Sequence, residues 1–354
     1  MLEYLRRREA RIIIGLMSGT SADGVDASIV SIKEHSKDSK IDLIYHYHYE
    51  YPKEIKELIH RLFDFENANI PLLSHMNFLL GEIFANVAVE AIEKSGLSPN
   101  DIDLIASHGQ TIFHSPYPQE LGGFQIRSTL QIGEGAVIAE RTGITTICDF
   151  RVRDMTVCGQ GAPLVPFADW VLFTSEEFNR GVLNIGGIAN ITILPKNADI
   201  DDVLAFDTGP GNMVIDEIVI KISDGKLNFD TDGNIARKGK VSYRLLEMAL
   251  SHPYFSLSPP KSTGREVFGK SFAMNLYEKG KYLGLSDEDI VATVTTLTAT
   301  TIAKSIEPFG IEELIIGGGG AYNSYLIEQI KGLLPSIKIK THEDFGIPNQ
   351  AKEA

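Results

Sequence analysis

The sequence predicts an α/β protein built twice over: two domains that each open on a β-hairpin and then alternate strands and helices, with a cleft between them. Three observations predict it. Residues 12–30, "IIIGLMSGTSADGVDASIV", and residues 181–194, "GVLNIGGIANITIL", are both apolar runs broken by a short turn of Gly and small polar residues. Strand and helix patterns then alternate in a similar order behind each run. The 354 residues exceed one ordinary core and suit two domains of roughly 150 to 180 residues each. The boundary is expected within 160–175, giving domains 1–170 and 171–354.

Residues 11–17 and 25–32 read as strands around the opening turn, and "IDLIYHYHYEY" supplies a third, so the first domain starts as a β-meander. Pro52 opens a helix with Ile55, Leu58, Ile59 and Leu62 on one face, and a second helix runs from Leu72 to Ser95 and stops at Gly96. "IDLIASHGQT" reads as a strand running into a polar loop. A short helix near 134–142, the strand "ITTICD" and the Gly/Pro-rich "CGQGAPLVP" close this half. The second half restarts with hairpin strands at 181–194, a strand at 203–207, a helix from about 212, and longer helices at 235–251 and 286–307. Ser286 and Asp289 have the spacing of a capping box. "IEELIIGGGGAYNSYLIEQI" then reads as strand, Gly-rich turn and helix.

A formal net charge of -14 argues against a nucleic-acid or anionic-membrane surface, while allowing a local basic pocket for a phosphorylated ligand. Cys148 and Cys158 have no Cys/His cluster near them and read as buried thiols of a reduced compartment. No stretch reaches the roughly 18 apolar residues of a membrane helix. The apolar run after the basic start "MLEYLRRREAR" is too short for a signal peptide. A cytoplasmic protein is expected, with no nucleic-acid or membrane partner and with a homodimer compatible.

The opening turn suits a phosphate cradle, because small residues let backbone N–H groups approach an anion and Ser18, Thr20 and Ser21 add hydroxyls. It lacks the Gly-Lys-Ser/Thr ending of a Walker loop. Asp23 and Asp26, just past the turn, are placed to organise hydrated magnesium beside the phosphates. A plain chain reversal would use the same residues. In "AFDTGPGNMVID" a strand is expected to deliver Asp207 to its carboxyl end, with Thr208 to Asn212 as a turn and a helix start aimed at an anion. A carboxylate there can take a proton from an attacking hydroxyl or water; the alternative is a turn cap. Four glycines, Gly317 to Gly320, between a buried strand and a helix let adenosine lie against bare backbone, or make a tight turn.

These loops together resemble the sugar-kinase, actin and Hsp70 ATPase superfamily, which implies a fold of duplicated actin-like (ribonuclease H-like) ATPase domains around a central cleft. Within it, "GLMSGTSADGVD", "SHGQTIFH", "DFRVRDM", "GQGAPLVP", "NIGGIANIT", "FDTGPGN", "DTDGNIARKG", "HPYFSLSPPKSTGREVF" and "GGGGAYN" resemble, in order, the motifs of the anhydro-N-acetylmuramic acid kinase family. The resemblance implies ATP-dependent hydrolytic opening of 1,6-anhydro-N-acetylmuramic acid with phosphorylation of its 6-oxygen, giving N-acetylmuramic acid 6-phosphate, in cell-wall sugar recycling. Its ATP loop falls on Gly19, Thr20, Ser21, Ala22, Asp23, Gly24, Val25 and Asp26, and its catalytic carboxylate on Asp207. The expected nucleotide contacts also take in Gly209, Gly211, Asn212 and Gly317, Gly318, Gly319 and Gly320, with ATP and Mg2+ as cofactors.

For the amino sugar, His108, Gln110 and Thr111 offer neutral hydrogen bonds, and Arg151 or Arg153 could pair with the lactyl carboxylate. An internal ion pair with Asp149 or Asp154 would explain either arginine equally. "PPKSTGREVF" gathers Lys261, Ser262, Thr263 and Arg265, to contact ATP or to cap a helix, and stays outside the catalytic set. Two departures from the family stand out. Cys158 replaces a glycine, a small-for-small change expected to be harmless. The family's motif glutamate, here Glu353, is expected near the sugar, but family members continue with a helix; without it Glu353 would sit on a frayed end. Competing readings are a superfamily kinase for another sugar, an ATP-driven conformational protein and a non-catalytic sugar sensor.

Overall fold

The computed structural model describes residues 5, 7–19, 22–64, 67–348 and 351–354. It divides into two units, residues 1–165 with 346–354, and residues 166–345. The last nine residues therefore belong with the first unit, not with the second as the sequence suggested.

In unit 1, β1 (Ala10–Ser18), β2 (Gly24–Lys33) and β3 (Lys40–Glu50) form the antiparallel meander. Helices α1 (Lys53–Phe63) and α2 (Ile70–Ser95) follow, then β4 (Leu104–Leu121), β5 (Phe124–Ile132), α3 (Gly135–Thr142), β6 (Thr146–Ile147) and α4 (Phe150–Thr156). β4 runs parallel to β1 and β6 parallel to β4, while β5 is a hairpin partner of β4. Apolar residues of the meander, Ile14, Leu16 and Ile29, pack with Leu80, Phe84 and Ile92 of α2. Gly96 ends α2 at φ 79°, the left-handed C-cap that glycine supplies. By length and composition alone α2 could cross a bilayer, which the sequence reading did not anticipate; its buried face is the core of unit 1.

Unit 2 repeats the plan. After α5 (Val165–Phe173) come β7 (Arg180–Ile185), β8 (Ile188–Leu194) and β9 (Leu204–Pro210) as a meander. Then follow α6 (Met213–Ile222), α7 (Tyr243–Leu250), α8 (Arg265–Phe268), α9 (Lys270–Tyr282), α10 (Asp287–Ile306), β10 (Glu313–Gly317), α11 (Ser324–Leu333) and β11 (Lys338–Thr341). β10 is parallel to β7 and β11 parallel to β10, giving the order β11-β10-β7-β8-β9. Meander, then two parallel additions, is the pattern of unit 1, so the chain is a duplicated actin-like (ribonuclease H-like) α/β fold.

Helix α10 lies between two apolar clusters, giving Leu297 to one and Ile302 and Ile306 to the other. Two of its buried threonines satisfy their hydroxyls on their own helix, Thr295 Oγ1 donating to Val291 O at 2.9 Å and Thr296 Oγ1 to Ala292 O at 2.9 Å. The Ser286–Asp289 capping box is present.

Several elements differ from expectation. The polar stretch after "IDLIAS" continues as strand to Leu121, "ITTICD" shrinks to two residues, and "DFRVRDM" folds as α4. The helix expected from 235 begins at Tyr243, because the preceding backbone lies on the start of α10: Lys240 N donates to Asp289 Oδ1 at 2.6 Å, and a Cβ on Gly239 would fall 2.0 Å from Glu288 O. Both cysteines are exposed rather than buried.

Cys158 has φ 69°, the left-handed region where a side chain is strained. The exchange from the family's glycine is therefore not neutral. Cys158→Gly should stabilise the protein by about 0.5–1 kcal/mol, the left-handed strain relieved less the extra entropy glycine loses on folding. Urea unfolding of parent and variant checks this; an unchanged or lowered midpoint would contradict it.

Candidate active site

Asp207 lies inside β9, three residues before the strand ends at Pro210, not at its carboxyl end. Its surroundings come from the 254–263 segment. Thr263 N donates to Asp207 Oδ2 at 2.8 Å, Asp207 N to Lys261 O at 2.9 Å, and Tyr254 Oη to Asp207 O at 2.7 Å. Oδ1 accepts no hydrogen bond among the described residues. Burial pushes the carboxyl up to about 6, the Thr263 N–H pulling it down and the Glu266 charge adding to the rise. "PPKST", left out of the catalytic set on sequence grounds, is what holds Asp207. Thr263 Oγ1 is buried beside it without a partner.

The loop after Asp207 is not the anion cradle that "TGPGN" suggested. Gly211 N donates to Gly187 O at 2.9 Å, Asn212 N to Gly186 O at 2.8 Å and Met213 N to Gly187 O at 3.1 Å, so these amides close onto the β7–β8 turn. Thr298 Oγ1 donates to Gly211 O at 2.9 Å from α10. Gly209 has φ 146°, and a Cβ on Gly211 would sit 2.2 Å from Gly186 O.

The four-glycine run also resolves. A Cβ on Gly317 would strike the His342 ring at 2.0 Å, on Gly318 Asn184 Oδ1 at 2.4 Å, and on Gly320 Ile185 Cγ2 at 2.3 Å. Three of the glycines are required by packing. Only Gly319 is exposed, its nearest neighbour Asn212 Nδ2 at 3.8 Å from an added Cβ. The structure thus brings Gly186 and Gly187, Gly211 and Asn212, and Gly319 and Gly320 together in unit 2. The 186–187 turn was visible as a second hairpin in the sequence but was not assigned to the site.

In unit 1, Thr20 and Ser21 lie outside the described residues. Gly19 O accepts from Gln110 Nε2 at 3.0 Å and from Ala22 N at 3.1 Å. Ala22 is buried at φ 53°, while Gly24 and Val25 pair in the sheet with β3. Gln110 is fully buried, its Oε1 2.7 Å from Ser18 Oγ, so it pins the opening turn to β4 rather than facing a ligand. Asp23 is exposed at the turn. Asp26 already has partners on β3: its Oδ1 accepts from His48 Nδ1 at 2.9 Å and lies 3.4 Å from His46 Nε2.

His108 has no ring nitrogen left for a sugar. Nδ1–H donates to Gly109 O at 2.8 Å, and Nε2 accepts from Arg151 Nε at 2.7 Å. Burial, then the Arg151 charge, holds the imidazole below its ordinary value, so it stays neutral and keeps this tautomer. Arg151 NH1 donates to Gly161 O at 2.8 Å, and Glu353 exerts its charge on the same guanidinium. Arg153 is exposed and bonds Thr156 Oγ1 of its own helix at 3.2 Å, away from this group. Neither arginine pairs with Asp149 or Asp154 among the described residues. Thr111 Oγ1 accepts from Gln131 Nε2 at 3.2 Å. The segment carrying Glu353 is held down, since Ser28 Oγ donates to buried Ala351 O at 3.0 Å; it is not frayed.

The sequence model of one protein family, described as anhydro-N-acetylmuramic acid kinase, matches residues 11–354. A protein of that name from Caldanaerobacter subterraneus subsp. tengcongensis is 50% identical over 98% of this chain and 89% of its own. Another from Bacillus cereus (strain AH820) is 44% identical over 97% of this chain and 90% of its own. Among solved structures, component A of (R)-2-hydroxyglutaryl-CoA dehydratase from Acidaminococcus fermentans aligns with TM-score 0.45 at 12% identity, over 98% of this chain and 96% of that one. A ROK family glucokinase from Streptomyces griseus, in complex with glucose and AMPPNP, aligns with TM-score 0.40 at 10% identity, over 93% and 94%.

Asp207 also fixes a pH dependence of stability. Its folded value of about 6 stands above the unfolded 3.8, so the stability it contributes is full below the unfolded value and is lost as pH rises through 6. Asp216, pushed up to about 7 chiefly by burial, acts in the same direction in parent and variant alike. Asp207→Asn should therefore raise Tm by a few degrees relative to the parent at pH 8, the gain vanishing near pH 4. Melting curves across that range test it; a gain independent of pH would show that the carboxylate is not the cause.

Proposed function

The chain belongs to the anhydro-N-acetylmuramic acid kinase family, and on that premise we propose that it opens 1,6-anhydro-N-acetylmuramic acid with water and phosphorylates the 6-oxygen from ATP. The product is N-acetylmuramic acid 6-phosphate. The observation that carries the reading is Asp207: a buried carboxylate, held at Oδ2 by Thr263 N, with Oδ1 unengaged among the described residues and its proton affinity raised toward neutrality. A base with a value near 6 is ionised at neutral pH yet still basic enough to accept a proton.

In this reading Asp207 Oδ1 takes a proton from the water that attacks C1. The C1–O6 bond breaks, and the released O6 attacks the γ-phosphorus of ATP, with ADP leaving. Coupling the two steps avoids a free alkoxide. Arg151, aimed by His108 and Gly161 O and half-surrounded by protein, supplies a fixed cation for the lactyl carboxylate. His108 acts through Arg151, and Glu353 shares that neighbourhood. Gly319, with Asn212 beside it, is the exposed backbone for a nucleotide, and the opening turn is the phosphate loop. Magnesium, which neutralises phosphate charge when bound, fits exposed Asp23 through water. The reading places the protein in the cytoplasm, where ATP is supplied.

Asp207→Asn should lower kcat by about 10²- to 10⁴-fold while leaving ATP affinity nearly unchanged, because only the proton acceptor is removed. Reaction in ¹⁸O-water should place the label on C1 of the product and none in the phosphate. Label in the phosphate, or turnover by the Asn variant close to that of the parent, would overturn the assignment.

A further inference from the structure

One charged group of "PPKSTGREVF" takes no part in the steps above. Lys261 sets its main chain against the base, its carbonyl accepting from Asp207 N at 2.9 Å. Its side chain turns to Tyr254, with Nζ 4.7 Å from the centre of that ring and 3.4 Å from Tyr254 O. Tyr254 Oη in turn donates to Asp207 O at 2.7 Å. A single aromatic ring thus carries the ammonium on its face and the backbone of the base at its tip.

No carboxylate stands within ion-pair distance of Lys261 Nζ among the described residues, whereas Lys94 pairs with Glu90 and Lys281 with Asp287. Asp207 is not the missing partner: the Thr263 N–H alone draws that carboxyl down, and the Glu266 charge pushes it up. Lys261 is half-buried, and burial holds its ammonium below the ordinary lysine value. A lysine withdrawn from water with no acid beside it is destabilising. The face of Tyr254 and one long carbonyl contact offset part of that cost. An anionic ligand would offset the rest.

The reaction supplies such an anion beside Asp207. As O6 attacks the γ-phosphorus, charge spreads over the three equatorial oxygens of the phosphoryl group, and a fixed cation there stabilises the transition state. An ammonium, compact and with three donors, serves as a point charge for phosphate oxygens. We propose that Lys261 Nζ binds the γ-phosphoryl oxygens while the group passes from ATP to O6, so that unit 2 supplies a cation as well as the base. Lysine keeps its proton throughout; the bond from phosphorus to the ADP oxygen breaks and the bond to O6 forms. The assignment rests on the kinase reading above and adds a second catalytic residue to it. A lysine that only tied the 261–263 segment to Tyr254 would need its aliphatic stem and not its charge.

The test compares the full-length parent with Lys261→Met, which keeps the stem, and Lys261→Arg, which keeps the charge. Turnover of ATP with 1,6-anhydro-N-acetylmuramic acid is measured for each. Calorimetry with magnesium and the sugar then gives the affinity for ADP and for ADP with aluminium fluoride, a mimic of the phosphoryl group in transit. Lys261→Met should lower kcat by about 10²- to 10³-fold and weaken the aluminium fluoride complex by a similar factor, with ADP affinity unchanged. Lys261→Arg should be clearly faster than Lys261→Met. Lys261→Gln, also neutral, takes the place of the Met variant if that chain does not fold. Turnover by the neutral variant close to that of the parent, an Arg variant no faster than it, or equal loss of affinity for both ADP complexes overturns the role of Lys261 and leaves the kinase reading in place. A parent that forms no phosphorylated sugar overturns both.

Discussion

The carbonyls of Gly186 and Gly187 take the amides of Gly211, Asn212 and Met213, so the two turns are joined through main-chain atoms. Backbone meets backbone this closely at Gly211, where an added Cβ would fall 2.2 Å from Gly186 O, and at Gly318, where it would fall 2.8 Å from Ile185 O, whereas Gly209, Gly317 and Gly320 make room for the side chains of Phe255, His342 and Ile185. The closure also fixes the path of β9. With its far end anchored through Gly211, and Thr298 bonded to that residue's carbonyl, the strand holds Asp207 at one place in the sheet. The 261–263 segment then reaches Asp207 by backbone rather than by side chain. A carboxylate held mainly through main-chain atoms loses little of its geometry to rotamer changes nearby.

Unit 1 solves a different problem, orienting a cation by hydrogen bonds to uncharged groups. Arg151 spends two of its N–H groups on His108 and on Gly161 O, both uncharged acceptors. A carboxylate in either place would have held the guanidinium as firmly but cancelled its charge. The neutral state of His108 is thus part of the design, and the burial that enforces it comes from β4 and its neighbours. Asp154, three residues further on, is turned to Gly161 N, which keeps it off the arginine and shapes the loop that Arg151 leans on.

The legible parts of the sequence were those where burial imposes a period. The meander strands, α2 with its Gly96 stop, and the capping box of α10 could be read because each has one buried face or a chemically distinct end. The hairpin of β4 and β5 could not. Tyr117, Leu121 and Phe124 are exposed along it, so no inside-outside alternation marks it as strand, and "SHGQT" passes for a loop. Asp207 stands out by its motif, while "FRVRD" leaves Arg151 and Arg153 open and only their bonds separate the two. The partners do not stand out: His108 and Gln110 carry the same polar signature whether they face a ligand or hold another residue, and only their bonds tell the two apart. Asp26 is the same case, its histidine partners lying on a neighbouring strand whose register fixes who meets whom.

The chain returns to unit 1 only after building all of unit 2. Ser28 meets Ala351 across a separation of 323 residues. On the ribosome, β1 to β6 emerge first and can collapse, yet the contact that seats Ala351 against β2 cannot form until the whole of 166–345 has been made. Closing so long a loop is slow but entropically little worse than closing a moderate one, since the cost grows only with the logarithm of length. Unit 2 is continuous and can complete its own core in the meantime. The piece that carries Glu353 is consequently installed only after unit 2 has been made, so a nascent or stalled chain has its Arg151 before it has the acid that shares its surroundings.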